Sequence, residues 1–177
     1  EFIDNASSQL TGLDILINNA GINMDNLSLR MKDDEWKKVI DINLTSTFLL
    51  SKFSIKKMLK NKYGKIVNIA SVVGHTGNLG QANYSASKAA LEVWAKSLAM
   101  KLGPEGKRVN IVAPGFVDTD ILAGDSDEKR ASRIEEVPLK RIGTPEDIAH
   151  TVSFLLSEKS AYITGVVVNV NGGLYLP

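Results

Sequence analysis

The sequence contains no cysteine, which excludes disulfides, thiolate nucleophiles and cysteine-ligated metal sites. It has only two histidines, His75 and His150, far apart and without metal-ligand spacing around them. Both read as structural or incidental, so no metal site is expected. Charge of one sign is also lacking: 21 basic residues face 20 acidic ones, a formal net charge of +1. No global field therefore favours nucleic acid. No apolar run reaches the length that spans a bilayer. The opening "EFIDNASSQL" has neither a basic segment nor an apolar core, so it reads as the middle of a helix rather than a signal peptide. What is present is an ordinary globular composition: 177 residues, 44% hydrophobic and 23% charged, enough for one domain, 1–177, with a real core.

Short apolar runs alternate with longer amphipathic ones. "LDILI" (residues 13–17) predicts a buried strand, ended by "NNAG". "KDDEWKKVIDINLTSTFLLSKFSIKKMLKN" has helical spacing with no glycine or proline, and Tyr63-Gly64 closes it. "KIVNIAS" (65–71) predicts a second strand, followed by the glycine-punctuated loop "VVGHTGNLGQAN". A helix is expected from near Tyr84 to about Leu102, stopped by Gly103-Pro104, and "RVNIVA" (108–113) is a third strand, cut by Pro114-Gly115. Residues 118–141 are polar with few strong signals. "TPEDIAHTVSFLLS" has Thr144 as N-cap, Pro145 at the first helical position and Asp147 two further on, close to a capping box. "GVVVNVNGG" supplies a final strand. Such alternation predicts an α/β fold, a parallel sheet with helices on both faces.

Polar groups follow the strands: "NNAG", Ser71 and "PGFVDTD". Open parallel sheets bind ligands at the carboxyl ends of their strands, so these clusters mark one candidate crevice. Gly21 lets the backbone approach a ligand closely, and Ser71 can turn its hydroxyl toward the same place. Asn43 sits inside the long helix, where asparagine is a poor residue, which suggests a buried polar role. "YSASK" places Tyr84 and Lys88 one helical turn apart on one face. An ammonium beside a phenol favours the phenolate and would make Tyr84 a usable proton donor.

Taken together, "NNAG", Asn43, Ser71, Y-x-x-x-K and PG-x-x-x-T resemble, in order and spacing, the short-chain dehydrogenase/reductase family. The likeness runs from about Leu13 to Gly173. Within the family the chain looks most like the 3-oxoacyl-[acyl-carrier-protein] reductases, on "AGINMDNLSLRMKDDEW", "SVVGHTGNLGQANYSASKAAL", "VAPGFVDTDI" and "AYITGVVVNVNGGLYL". The resemblance implies a Rossmann-like doubly wound sheet in three layers. It implies NADPH-dependent reduction of a 3-oxoacyl thioester in fatty acid biosynthesis, with NAD left open as the cofactor. Tyr84 would be the general acid, Ser71 would hydrogen-bond the ketone oxygen, and Lys88 would hold the nicotinamide ribose and depress the Tyr84 pKa. Asn43 would bind a water that links Lys88 to solvent. Asn19, Ala20, Gly21, Pro114, Gly115, Val117 and Thr119 would join Tyr84 and Lys88 as cofactor contacts. Gln81 and the loop 72–80 would shape the substrate entrance, and 118–141 would form a mobile lid.

The family's glycine-rich phosphate turn has no match in residues 1–12. The resemblance therefore implies a βαβαβ portion of roughly 60–75 residues preceding the chain, and weak NADPH binding by 1–177 alone. An acyl carrier protein is the implied partner. Lys52, Lys56 and Lys60 share a helix face, with Lys57, Lys62 and Lys65 nearby; Glu105 stands where a further basic residue is expected, leaving Lys107 and Arg108 as replacements. Phe48, Phe53, Val93 and Trp94 lie on the two helices that relatives pair in a dimer, and a homotetramer is implied. A cytoplasmic location is expected, with mitochondrion and plastid left open. Two other readings stand: the same chemistry on a sugar, steroid or small alcohol, and a non-catalytic fragment that retains only the oligomer interface.

Overall fold

The computed structural model describes residues 1–177. The chain runs α1 (Phe2–Gln9), β1 (Ile15–Asn18), α2 (Asp33–Ile40), a π-helical turn (Asp41–Thr45), α3 (Ser46–Asn61) and β2 (Lys65–Ile69). It continues through α4 (Val73–Thr76), α5 (Ala82–Leu102), β3 (Arg108–Pro114), α6 (Asp127–Glu136), α7 (Pro145–Leu156) and β4 (Val167–Val170). The four strands are all parallel, in the order β1-β2-β3-β4.

Strand alternation builds the layers. Ile66 of β2 and Ala70 just after it, with Val109, Ile111 and Ala113 of β3, pack one face against Met58 of α3 and Ala95, Ala99 and Leu102 of α5. The two alanines are small enough to let α5 lie close to β3. Val67 and Val112 point the other way, onto Val152 and Leu155 of α7. Period-2 burial on both faces is what a sheet covered on both sides requires. The expected three-layer, doubly wound arrangement is therefore present.

β1 departs from expectation. Ile15 and Ile17 are 43% and 45% exposed, because α7 packs on β2, β3 and β4 and leaves β1 uncovered. The long helix is also not continuous α-helix: the π turn interrupts it. It ends at Asn61 with Lys62 at φ 58°, so the left-handed position is Lys62 rather than Gly64. α7 starts with the reciprocal cap: Asp147 N–H donates to Thr144 Oγ1 (3.3 Å) and Thr144 N–H to Asp147 Oδ2 (2.8 Å).

Within 118–141 the sequence hides a helix, α6, capped by Ser126. Its composition is mostly charged, and ion pairs hold it: Asp125 contacts Lys129 and Arg133 at 2.6 Å each, and Arg130 meets Asp118 at 3.0 Å. Arg133 also lies over the Phe116 ring, 4.5 Å from its centroid.

Gly115 ends β3 beside β4. A Cβ there would fall 2.8 Å from both Cα and Cβ of Asn171, too close for either backbone to stay put. Gly115→Ala should therefore cost about 1–3 kcal/mol, read as a lowered midpoint in thermal or urea unfolding.

Candidate active site

The carboxyl ends of β1, β2 and β3 open into a cleft of about 950 Å³. Asn19, Ala20 and Gly21 line it from the end of β1, Ser71 from β2, and Pro114, Gly115, Val117 and Thr119 from β3. Tyr84 and Lys88 enter from α5, and Gln81 from the loop before it. Of the residues singled out from the sequence, Asn43 alone does not line the cleft; it lies behind Gly21.

α5 delivers the pair as its period demands. Lys88 is buried, 3% exposed, and its Nζ donates to the carbonyl of Ile69, the last residue of β2, at 2.8 Å. The same Nζ sits 5.5 Å from the centroid of the Tyr84 ring. Burial disfavours the ammonium and pushes Lys88 down to about 8. Ser71 stands near enough to the Tyr84 hydroxyl to favour the phenolate.

One expectation is corrected here. Tyr84 is not lowered by Lys88. Burial raises its pKa above the ordinary phenol value, the nearby Ser71 hydroxyl works against that, and the Asp25 carboxylate adds to it. The phenol therefore carries its proton throughout the neutral range. Asp25 is itself held by Gln81, whose Nε2 donates to its two oxygens at 3.1 and 3.0 Å.

Asn43 occupies the middle of the π turn and is fully buried. Its Oδ1 accepts from Ile22 N–H (2.8 Å), and its Nδ2 donates to Ile22 O (2.9 Å) and Ser87 Oγ (3.1 Å). The amide thus clamps the backbone that follows "NNAG" to α5. Oδ1 accepts only the one bond from Ile22, so its second lone pair is open toward Lys88, whose Nζ lies across the same space beside Gly21. Ser46 and Thr47 hydroxyls donate to the carbonyls of Ile42 (2.6 Å) and Asn43 (3.0 Å), satisfying carbonyls where the helical ladder changes step.

Two residues that sequence reasoning passed over complete the frame. Asn83 is fully buried; its Oδ1 accepts from Tyr84 N–H (2.8 Å) while its Nδ2 donates to Met24 O (3.0 Å). Ser87 donates to Tyr84 O at 2.7 Å. Both lie beside the motif tyrosine and lysine, but their partners are distant in sequence, so spacing alone gave no signal for them.

A buried ammonium pushed to about 8 opposes folding at neutral pH. Its folded value is depressed, so its stabilising contribution is complete above the ordinary lysine value and fades as pH falls through about 8. Lys88→Met should relieve about 3 kcal/mol and lose about 1 kcal/mol by leaving Ile69 O unpaired. The variant should melt higher than the parent at neutral pH, and the gain should shrink as pH rises past about 8. A lower melting temperature at neutral pH would contradict this assignment.

The family described as enoyl-(acyl carrier protein) reductase matches residues 1–175. The chain is 52% identical over 164 residues to the 3-oxoacyl-[acyl-carrier-protein] reductase FabG of Aquifex aeolicus, covering 93% of this chain and 66% of that protein. It is 51% identical over 164 residues to the protein of the same name from Escherichia coli, covering 93% and 67%. It is 48% identical over 174 residues to that from Salmonella typhimurium, covering 98% and 71%. The chain thus spans about two thirds of the length of these curated relatives. By sequence, parallel sheet and the residues gathered at its edge, the chain belongs to the short-chain dehydrogenase/reductase family.

Proposed function

We propose that this chain carries the catalytic part of a 3-oxoacyl-[acyl-carrier-protein] reductase that uses NADPH. The observation that supports it most directly is the meeting of Ser71, Tyr84 and Lys88 in one cleft at the sheet's carboxyl edge, in a chain about half identical to reductases of that name.

The residues present fit the nicotinamide end of such a cofactor. Lys88 makes one protein hydrogen bond, to Ile69 O, leaving ammonium donors for the hydroxyls of a ribose. Gly21 keeps the floor open: a Cβ there would lie 3.3 Å from both Asn43 Oδ1 and Lys88 Nζ. Asn19 and Ala20 would flank the sugar, with Pro114, Gly115 and Val117 along the ring and Thr119 at its carboxamide or at a phosphate. Bound NADPH supplies the hydride. Ser71 hydrogen-bonds the ketone oxygen and stabilises its developing charge. Tyr84, protonated in the neutral range because it is buried, delivers its proton to that oxygen. Gln81, tied to Asp25, borders the acyl entrance. The segment 118–141 closes over the substrate as a lid, releasing part of its ion-pair set as it moves.

Partner surfaces follow the same reading. Lys52, Lys56, Lys60 and Lys62 are exposed on and just after α3 and would face an acidic carrier protein. Lys57 and Lys65 do not join them: Lys57 pairs with Asp4 at 2.7 Å, and Lys65 is buried against Glu158 at 2.6 Å. Lys107 and Arg108 fail as substitutes at Glu105, because both are buried and donate to backbone carbonyls. Phe48, Phe53 and Val93 are 44%, 46% and 66% exposed, and Phe48 meets Trp94 edge-on at 6.2 Å. This apolar face would be covered in a homo-oligomer, a tetramer by family likeness. No helix is long and apolar enough to cross a membrane, and the proposed setting is the cytoplasm.

The test is turnover of a 3-oxoacyl thioester by the intact protein, followed as loss of NADPH absorbance, beside sugar, steroid and small-alcohol substrates. Tyr84→Phe should fold normally and lose about 10²–10⁴ in kcat. Unchanged turnover by that variant would remove Tyr84 from the mechanism. Preference for a sugar or steroid would replace the thioester reading.

A further inference from the structure

α4 is a single turn, yet it is pressed onto α5 at the level of Lys88. A Cβ on Gly74 would lie 3.1 Å from the amide nitrogen of Ala89, 3.2 Å from the carbonyl carbon of Lys88 and 3.3 Å from Glu92 Oε1. α4 also follows directly on Ser71. Gly74 N–H donates to Ser71 O at 2.9 Å, and Val73 N–H points to Ser71 Oγ at 3.4 Å. α4 therefore touches Ser71 at its start and α5 along its flank.

Two titratable side chains lie in that seat. His75 Nε2 of α4 is 3.3 Å from Glu92 Oε1 of α5, with the side chains 18% and 7% exposed. Neither atom makes a hydrogen bond, to the other or elsewhere, so the contact is an electrostatic approach. The His75 ring also stacks on Tyr175 of the C-terminal segment, centroids 4.7 Å apart and planes 5° from parallel. The other charged groups flanking Glu92 on α5 are Lys88, whose ammonium is spent on Ile69 O, and Lys96, which is exposed. Burial raises the Glu92 carboxyl above its ordinary value, with His75 and then Lys96 pulling it back.

We propose that His75 and Glu92 are positioning residues: a buried pair that braces α4 on α5 and thereby aims Ser71 at Tyr84. The proposal rests on the reading of Ser71 and Tyr84 as the reacting pair. The costly state is a buried Glu92 carboxylate left without its partner. Tyr175 holds the imidazole in plane for this contact and links the C-terminal segment to the same brace.

The experiment combines His75→Phe, Glu92→Gln and the double variant, with kcat, KM and melting temperature followed from about pH 5 to 9. Phe keeps a ring to stack on Tyr175 but removes the partner of Glu92. Because the folded Glu92 value is raised above 4.5, the stability it contributes is present below that value and is lost as pH rises through the folded value. In His75→Phe this loss should deepen, and kcat should fall by roughly 10- to 100-fold toward alkaline pH with KM for cofactor unchanged. Adding Glu92→Gln removes the stranded charge and should flatten the pH profile, while kcat stays below the parent's because the brace itself is gone. Glu92→Gln alone, which preserves shape, should gain melting temperature relative to the parent as pH rises. A His75→Phe pH dependence that Glu92→Gln does not flatten, a double variant with the parent's kcat, or melting-temperature differences that stay flat with pH, would overturn the proposal. The melting series needs no turnover. A parent protein inactive on every substrate would sink the functional reading, while the pH dependence of melting would still decide the pair.

Discussion

An ammonium buried at the end of a sheet must be held by something, and Lys88 is held by the carbonyl of Ile69. That single bond joins α5 to β2 where the strand ends, so the helix carrying Tyr84 cannot slide without stranding a buried charge. The cleft inherits its geometry from it. Ser71 follows Ile69 in the chain by two residues and shares the cleft with Tyr84, one turn from Lys88 on the helix. Stability and chemistry pull against each other at this point: the group that opposes folding most clearly at neutral pH is also the one that offers donors to a ligand.

Around that bond the structure uses side-chain amides to fix backbone. Asn43 clamps Ile22 to Ser87, and Asn83 ties the start of α5 to Met24. Irregular chain between β1 and α2 is thereby pinned to the helix bearing the candidate acid. No strand or helix of its own orders that segment over residues 19–32, so buried amides supply what a backbone ladder would supply elsewhere.

Much of this was legible in the sequence, for physical reasons. β2 and β3 are covered on both faces and so carry consecutive apolar residues, Ile66-Val67 and Ile111-Val112-Ala113, that a one-sided strand would alternate with polar ones. Tyr84 and Lys88 share a face because the helical period puts them there. Thr144, Pro145 and Asp147 cap α7 through contacts local enough to be written in four residues. What could not be read depends on distant neighbours. The same apolar pattern serves a covered strand and the open β1, and only the reach of α7 separates them. α6 has too little apolar surface to show a period, because ion pairs hold it. The direction of the Tyr84 shift is set first by its burial, which spacing does not specify. Lys57, Lys65, Lys107 and Arg108 looked available in one dimension and are engaged in three.

The π turn at Asp41–Thr45 acts as a phase shifter. One added residue rotates everything after it by about a quarter turn relative to an uninterrupted α-helix. α2 can then lean on α5 while α3 presents Met58 to the sheet, and the side chain at the step points inward at Ile22. Length, more than composition, is what this stretch must conserve. Removing a single residue here would let the helix relax into its better-bonded form and swing Asn43 off its target. Drift among relatives should therefore tolerate many substitutions between Asp33 and Asn61, and no insertion or deletion.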